Sequence, residues 1–227
     1  MDKDRPAPAA SHPGGPEVSS GQESLSDVAA GRGEGPYLFE GPGEFLKGRI
    51  LIAMPAIGDP RFERSVLLIC LHDADHAMAI VLNRPLDGLS VPGLLQRLGL
   101  ASEGVTEAPV LYGGPVERER GYVLHSNDYA AAGSTVQVTD AVALTDTREV
   151  LDALGDKGRR PRQSLLALGY AGWGSGQLES ELRQGVWLTC DPDDELLFGL
   201  DHASKWTHAL AKIGVSPERL SSQAGQA

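Results

Sequence analysis

The stretch "LGYAGWGSGQLESEL", residues 168–182, places Gly169, Gly172, Gly174 and Gly176 between an apolar run and an amphipathic one. Strand, glycine-rich turn and helix in that order can hold a phosphate, because backbone N–H groups and a helix N-terminus converge on it. The named versions of that chemistry are absent. A Walker loop needs a lysine, and none occurs between Gly169 and Leu182. The dinucleotide fingerprint fails because Gln177 lies three residues after Gly174 and Glu179 three after Gly176. A serine nucleophile elbow needs glycines two before and two after Ser175, where this chain has Trp173 and Gln177. Glu179 and Glu181 also put negative charge into the first turns of the helix, where an anion would sit. What remains is close packing by small residues, or a cradle for a neutral or cationic ligand made by Trp173, Gln177 and the glutamates.

Three other clusters could do chemistry. "YGGPV" (112–116) offers Gly113 and Gly114 as a backbone nest or simply as a strand terminator. His125 ends the apolar run "RGYVLH", a position at which a histidine either serves as a general base or is hydrogen-bonded at a strand end. His72, Asp73, Asp75 and His76 form an H-D-x-D-H group, which matches no standard zinc spacing and falls in an expected hairpin turn. "CDPDDE" (190–195) lacks the spacing of a calcium loop. The residues assemble no nucleophile–base pair and no metal set, so no catalytic residue, metal or cofactor is expected.

The elements that must position these residues are legible from apolar periodicity. Strands are expected over 48–55, 65–72 and 77–85, the last two joined as a hairpin through "DADH". Further short strands are expected over 109–114, 120–125, 134–140 and 141–145, a central one over 163–173, and others at "VWLTC" and "ELLF". Helices are expected over 91–100, over "TREVLDALGD" with Asp146 and Glu149 as a capping box, over 176–185 and over 203–214. In the last of these, Trp206, Leu210 and Ile213 should point inward and Lys205, His208 and Lys212 should share the opposite, solvated stripe. Hairpins mixed with single crossover helices imply an α/β (α+β) fold, one compact domain with a mixed β-sheet flanked by helices.

Residues 1–38 are rich in Pro, Gly, Ser and Ala without apolar periodicity and are expected to be a disordered acidic tail, leaving 39–227 as the domain. The whole chain carries a formal charge of -11, and the first forty residues supply -4 of it. Such a molecule repels a phosphate backbone at long range, which disfavours direct nucleic-acid binding. "KGRRPR" and "ERER" read as solvated loops. Cys70 and Cys190 fall in apolar runs and read as reduced core thiols. No apolar run approaches the ~18 residues of a membrane span, and the N-terminus lacks the apolar segment of a signal peptide, so a cytoplasmic protein without membrane contact is expected.

Several segments in order carry a resemblance: "GRILIAMPAIGDPRFERSVLLICLHD", "IVLNRP", "YGGPV", "GYVLH", "LGYAGWGSGQLESEL" and "KWTHALAKIGVSPERLSSQAG". Together they resemble the AlgH/YqgE family of bacterial proteins, from about Phe45 to the C-terminus. The resemblance implies a single domain with a mixed sheet flanked by helices, in the bacterial cytosol, and an uncharacterised protein or transcriptional regulator without agreed catalytic residues. Its motif positions include Asp59, Phe62, Asn83, Arg84, Pro85, Pro115, Glu181, Trp187 and Trp206. The chain departs from the family at His76-Ala77-Met78-Ala79, where Gly-Ala-x-Gly is usual, which would remodel the hairpin if those glycines serve positive φ. The reading that follows is a non-enzymatic regulatory or binding protein. Its cleft would be lined by Gly113, Gly114, His125, Trp173 and Gln177, and its partner would be a protein or a small molecule. The alternative is a hydrolase or transferase with His125 as general base beside Gly113 and Gly114, which requires an open His125.

Overall fold

The computed structural model describes residues 45–221. The expected tail and its boundary at residue 38 lie outside them. The described residues form one mixed sheet with helices on both faces. Its first half is an antiparallel set: β1 (Ile50–Ala53), β2 (Val66–His72) and β3 (His76–Val81), with the later β10 (Trp187–Cys190) on the outer edge of β1. The second half holds β6 (Val116–Ser126), β8 (Val142–Thr145) and β7 (Thr135–Gln137). β9 (Ser164–Gly174) joins the two halves and is central, as its doubly apolar pattern requires. Its C-terminal part pairs with β3 and its N-terminal part with β6. It also pairs in parallel with β5 (Pro109–Tyr112), which carries β4 (Pro85–Ser90) on its far side.

Strands buried on both faces read as continuous apolar runs, and β2 is buried at every position. Ile50, Ile52, Leu68, Cys70 and Ile80 face one layer, closed by α4 (Asp194–Phe198) and α5 (Lys205–Lys212) through Leu196, Trp206 and Leu210. Leu51, Leu67, Ile69, Ala79 and Ala171 face the other, closed by α3 (Gln177–Arg183) through Leu178. On the second half, α1 (Val91–Arg97) and α2 (Arg148–Gly155) cover Val110, Val123 and Leu166. A short α6 (Pro217–Ser221) follows. Cys70 and Cys190 are buried and unbridged.

Four expectations need correction. "ELLF" is helical, because Asp193 caps α4 by accepting from the Leu196 N–H at 2.8 Å. Asp146 does not cap α2; Thr147 holds that position and Asp146 pairs with Arg120 instead. Lys205 is 1% exposed, not on a solvated stripe, and donates to the carbonyls of Leu82 (3.2 Å) and Leu197 (3.5 Å). Burial lowers its pKa to about 8. β4, in "PLDGLS", was not anticipated, since its exposed residues carry no apolar alternation.

The β2–β3 hairpin forms without the two family glycines. Neither His76 nor Ala79 has positive φ. The Asp73 carboxylate closes the turn by accepting from the N–H groups of Asp75 (2.8 Å) and His76 (3.0 Å).

Candidate functional site

β9, α3 and β10 bring two tryptophans and a glutamate together. α3 begins at Gly176, whose φ of 69° turns the chain sharply out of β9. One turn into the helix, Glu181 points back at the sheet. Its Oε2 accepts the indole N–H of Trp173 (2.9 Å) and that of Trp187 (2.7 Å). Its Oε1 accepts the Gln177 amide at 2.9 Å, and the Gln177 carbonyl in turn accepts the Gly174 N–H at 3.2 Å. The carboxylate therefore accepts from three side-chain donors, which fix its orientation.

The two indoles meet edge to face at 5.9 Å, and Phe62 adds a second such contact on Trp187 at 5.7 Å. Above them lies a cleft of about 280 Å³ whose walls include Phe62, Pro115, Trp173, Gln177 and Trp187. Its rim is the Asp59–Arg61 pair, in which the Arg61 Nη2 donates to Asp59 Oδ2 at 2.7 Å. The Arg61 hydrogen bonds hold the Asp59 carboxyl below the usual carboxylate range. Asp59 also accepts the Arg61 backbone N–H at 2.9 Å, so the Asp-Pro-Arg order fixes this turn.

Of the five expected site residues, only Trp173 and Gln177 line this cleft. Gly113 and Gly114 lie behind it, where β5 leaves β9. A Cβ on Gly113 would sit 2.2 Å from the Gly169 carbonyl oxygen, and one on Gly114 would sit 2.0 Å from the Tyr170 carbonyl carbon. Gly113 also spends both backbone groups in joining strands: its N–H donates to Leu168 and its carbonyl accepts from Val81.

His125 stands apart, on β6, with no exposure. The Ser126 carbonyl, 2.9 Å from Nδ1, can only accept, so Nδ1 carries the proton and Nε2 accepts from the Thr145 hydroxyl at 2.9 Å. Thr145 accepts in turn from Thr135, 2.7 Å away, and Thr135 from the Ala131 N–H. Burial lowers the pKa of this histidine, which is neutral in the relay. With both ring nitrogens occupied and no open face, it lacks the access that a general base requires.

The H-D-x-D-H cluster also divides. His72 Nδ1 accepts the Leu46 N–H at 2.8 Å, so its Nε2–H faces Glu179 at 2.7 Å, whereas His76 turns to Asp73. Among the described residues no group of three or more His, Cys, Asp or Glu side chains could hold a metal ion. Asp59, Phe62, Glu181 and Trp187, motif positions by resemblance, belong to the cleft, and Arg61 was missed. The turn signal of Asp59-Pro60 beside a cation was the available clue.

The comparisons with known proteins concern nearly the whole described chain. The family model described as AlgH-like matches residues 50–218. A UPF0301 protein of Caulobacter vibrioides (strain NA1000 / CB15N) is 60% identical over 188 residues, 82% of this chain and 95% of that protein. One from Bradyrhizobium sp. (strain BTAi1 / ATCC BAA-1182) is 47% identical over 193 residues, 82% and 89% of the respective chains. The solution structure of the AlgH protein from Pseudomonas aeruginosa superposes with a TM-score of 0.63 at 36% identity, covering 84% of this chain and all of that one. A protein from Corynebacterium diphtheriae, at 18% identity and a TM-score of 0.56, shares the fold over 78% of this chain and 91% of its own. With the expected mixed-sheet architecture in place and relatives matched across almost their full length, the chain belongs to the AlgH-like family.

Proposed function

We propose that this is a cytosolic, non-catalytic binding protein that acts by seating a ligand or a partner's side chain in the Trp173–Trp187 cleft. The observation that carries the proposal is the Glu181 carboxylate holding Trp173, Trp187 and Gln177 by three hydrogen bonds, which pre-orients the side chains of a recognition surface. Aromatic edges, the Gln177 amide and a neutralised Asp59–Arg61 rim suit a neutral or cationic group of small size. Any part in transcription is then indirect, through a ligand or another protein, because the chain's charge of -11 opposes DNA.

A thermal-shift screen of amino acids, amines and short peptides tests this, read together with the indole N–H resonances of the three tryptophans. A specific ligand at about 100 times its Kd should raise the melting midpoint by about 5–10 °C. It should also move the Trp173 and Trp187 signals but not Trp206, and lose its effect in Gln177→Ala. A ligand that stabilises the wild type and Gln177→Ala equally, or that moves only Trp206, would place binding elsewhere and end this reading.

A further inference from the structure

We propose a second site, for a small phosphorylated molecule, in the open cavity beside the cleft where Arg84, Arg118 and Tyr112 converge. The cavity, about 690 Å³, is bounded by these residues with Asn83, Arg61 and two prolines. The proposal does not rest on the tryptophan cleft, with which the cavity shares only Arg61.

Several arginines of this acidic chain sit in ion pairs: Arg49 with Asp191, Arg159 with Asp156, Arg162 with Asp128. Arg160 instead donates to backbone carbonyls. Arg84 is likewise held by neutral acceptors. Its Nε donates to the hydroxyl of fully buried Ser65 at 3.0 Å, and its Nη2 to the carbonyls of Glu63 (2.6 Å) and Pro60 (3.3 Å). These acceptors are neutral and fix the guanidinium in orientation; Asp59 feels its charge but makes no direct ion pair with it, and among the described residues Nη1 makes no hydrogen bond. The following Pro85, and the Tyr112 N–H donated to the Arg84 carbonyl at 2.7 Å, hold the backbone beneath it.

Among the described residues Arg118 makes no ion pair with a carboxylate, and its guanidinium lies 5.7 Å from the Tyr112 ring centroid. Neither its N–H groups nor the Tyr112 hydroxyl makes a hydrogen bond among the described residues. Arg61 brings a third guanidinium, but Asp59 neutralises it. Two guanidiniums without a direct ion pair among the described residues and a phenolic hydroxyl therefore line one cavity. Guanidinium forks match phosphate oxygens, and two of them match a dianion better than a single carboxylate. The volume exceeds that of bare phosphate and falls within the range of small-molecule sites, so the phosphate would be carried on a small organic group. A nucleic acid is excluded by the same -11 that a small ion escapes by entering a local patch.

Calorimetric titration of the full chain with inorganic pyrophosphate, at low and at physiological ionic strength, tests the site. Binding should be present, weaken with salt, fall by about tenfold in Arg118→Gln, and persist unchanged in Gln177→Ala. Arg118 is exposed, so its substitution leaves the fold intact where Arg84→Gln, which strips Ser65 and two carbonyls of their donor, could fail to fold. Citrate, a carboxylate of comparable charge, should bind more weakly than pyrophosphate. No heat with pyrophosphate up to about 10 mM, a concentration that detects millimolar affinity, would overturn the proposal. So would equal binding by Arg118→Gln, or tighter binding of citrate. Loss in Gln177→Ala with retention in Arg118→Gln would assign the anion to the tryptophan cleft and also overturn it.

Discussion

A histidine at the end of an apolar strand has two physical fates, and the neighbouring hydroxyls decide between them. In this chain Thr135 and Thr145, ten and twenty residues from His125 in sequence, feed a hydrogen-bond relay into Nε2, while the Ser126 carbonyl accepts from Nδ1–H. A second proton on Nε2 would oppose Thr145 and leave a charge in a buried layer. The folded-state pKa lies below the ordinary 6.5, so below that pH the unfolded chain binds a proton that the folded chain refuses. Stability should accordingly be intact above about pH 6.5 and fall as pH drops through it, by up to about 1.4 kcal/mol per pH unit for one histidine. His202, shifted the same way by burial and the Lys205 charge, adds to the slope. Urea midpoints at pH 7.5 and 5.5 should differ less in His125→Asn than in the wild type. An identical difference in the two proteins would mean that His125 does not carry the effect.

The element that depends most on small residues is the crossing of β5 and β9. Gly113 and Gly114 bring two backbones to contact distance, and the atoms a Cβ would meet are carbonyl groups rather than flexible side chains. Gly113→Ala should therefore cost about 1–3 kcal/mol or more and reduce the yield of folded protein, as overpacking against a fixed backbone does. Gly174→Ala, at the other end of β9, meets nothing within 4 Å and has no positive φ, and should be tolerated. Denaturant melts of the two variants check this, and comparable midpoints would show that β5 can shift away from β9. The paired glycines of "YGGPV" were visible as a flexible or terminating feature. Their purpose was not, because the carbonyls they clear belong to residues more than fifty positions later. At the same scale, β2, β3 and β9 were readable because burial on both faces leaves continuous apolar runs, whereas β4 and the helix at "ELLF" were not. A segment as short as "ELLF" fits either geometry, and the Asp193 cap sets it as a helix.

For the whole molecule, β9 is the link between the halves: it pairs with β3, β5 and β6 and contributes to all three apolar layers. Without it the two halves would no longer share a strand. Unfolding should be a single cooperative step, with tryptophan fluorescence, which reports on layers at the β1–β3 end, and far-ultraviolet circular dichroism, which reports on the entire sheet, giving the same denaturant midpoint. Separate midpoints would show two independently stable halves. By itself the sequence determined the class of fold, the central place of β9, the buried thiols and the acidic surface, because these follow from composition and short-range periodicity. Motif order was enough to identify the family. Only the tertiary structure decided which side chains meet: Glu181 finds Trp173 and Trp187 across three elements, Arg84 finds neutral acceptors around Ser65, and Arg118 comes beside it from β6. Partners that distant in sequence leave no periodic trace, since side-chain geometry, not spacing along the chain, brings them together.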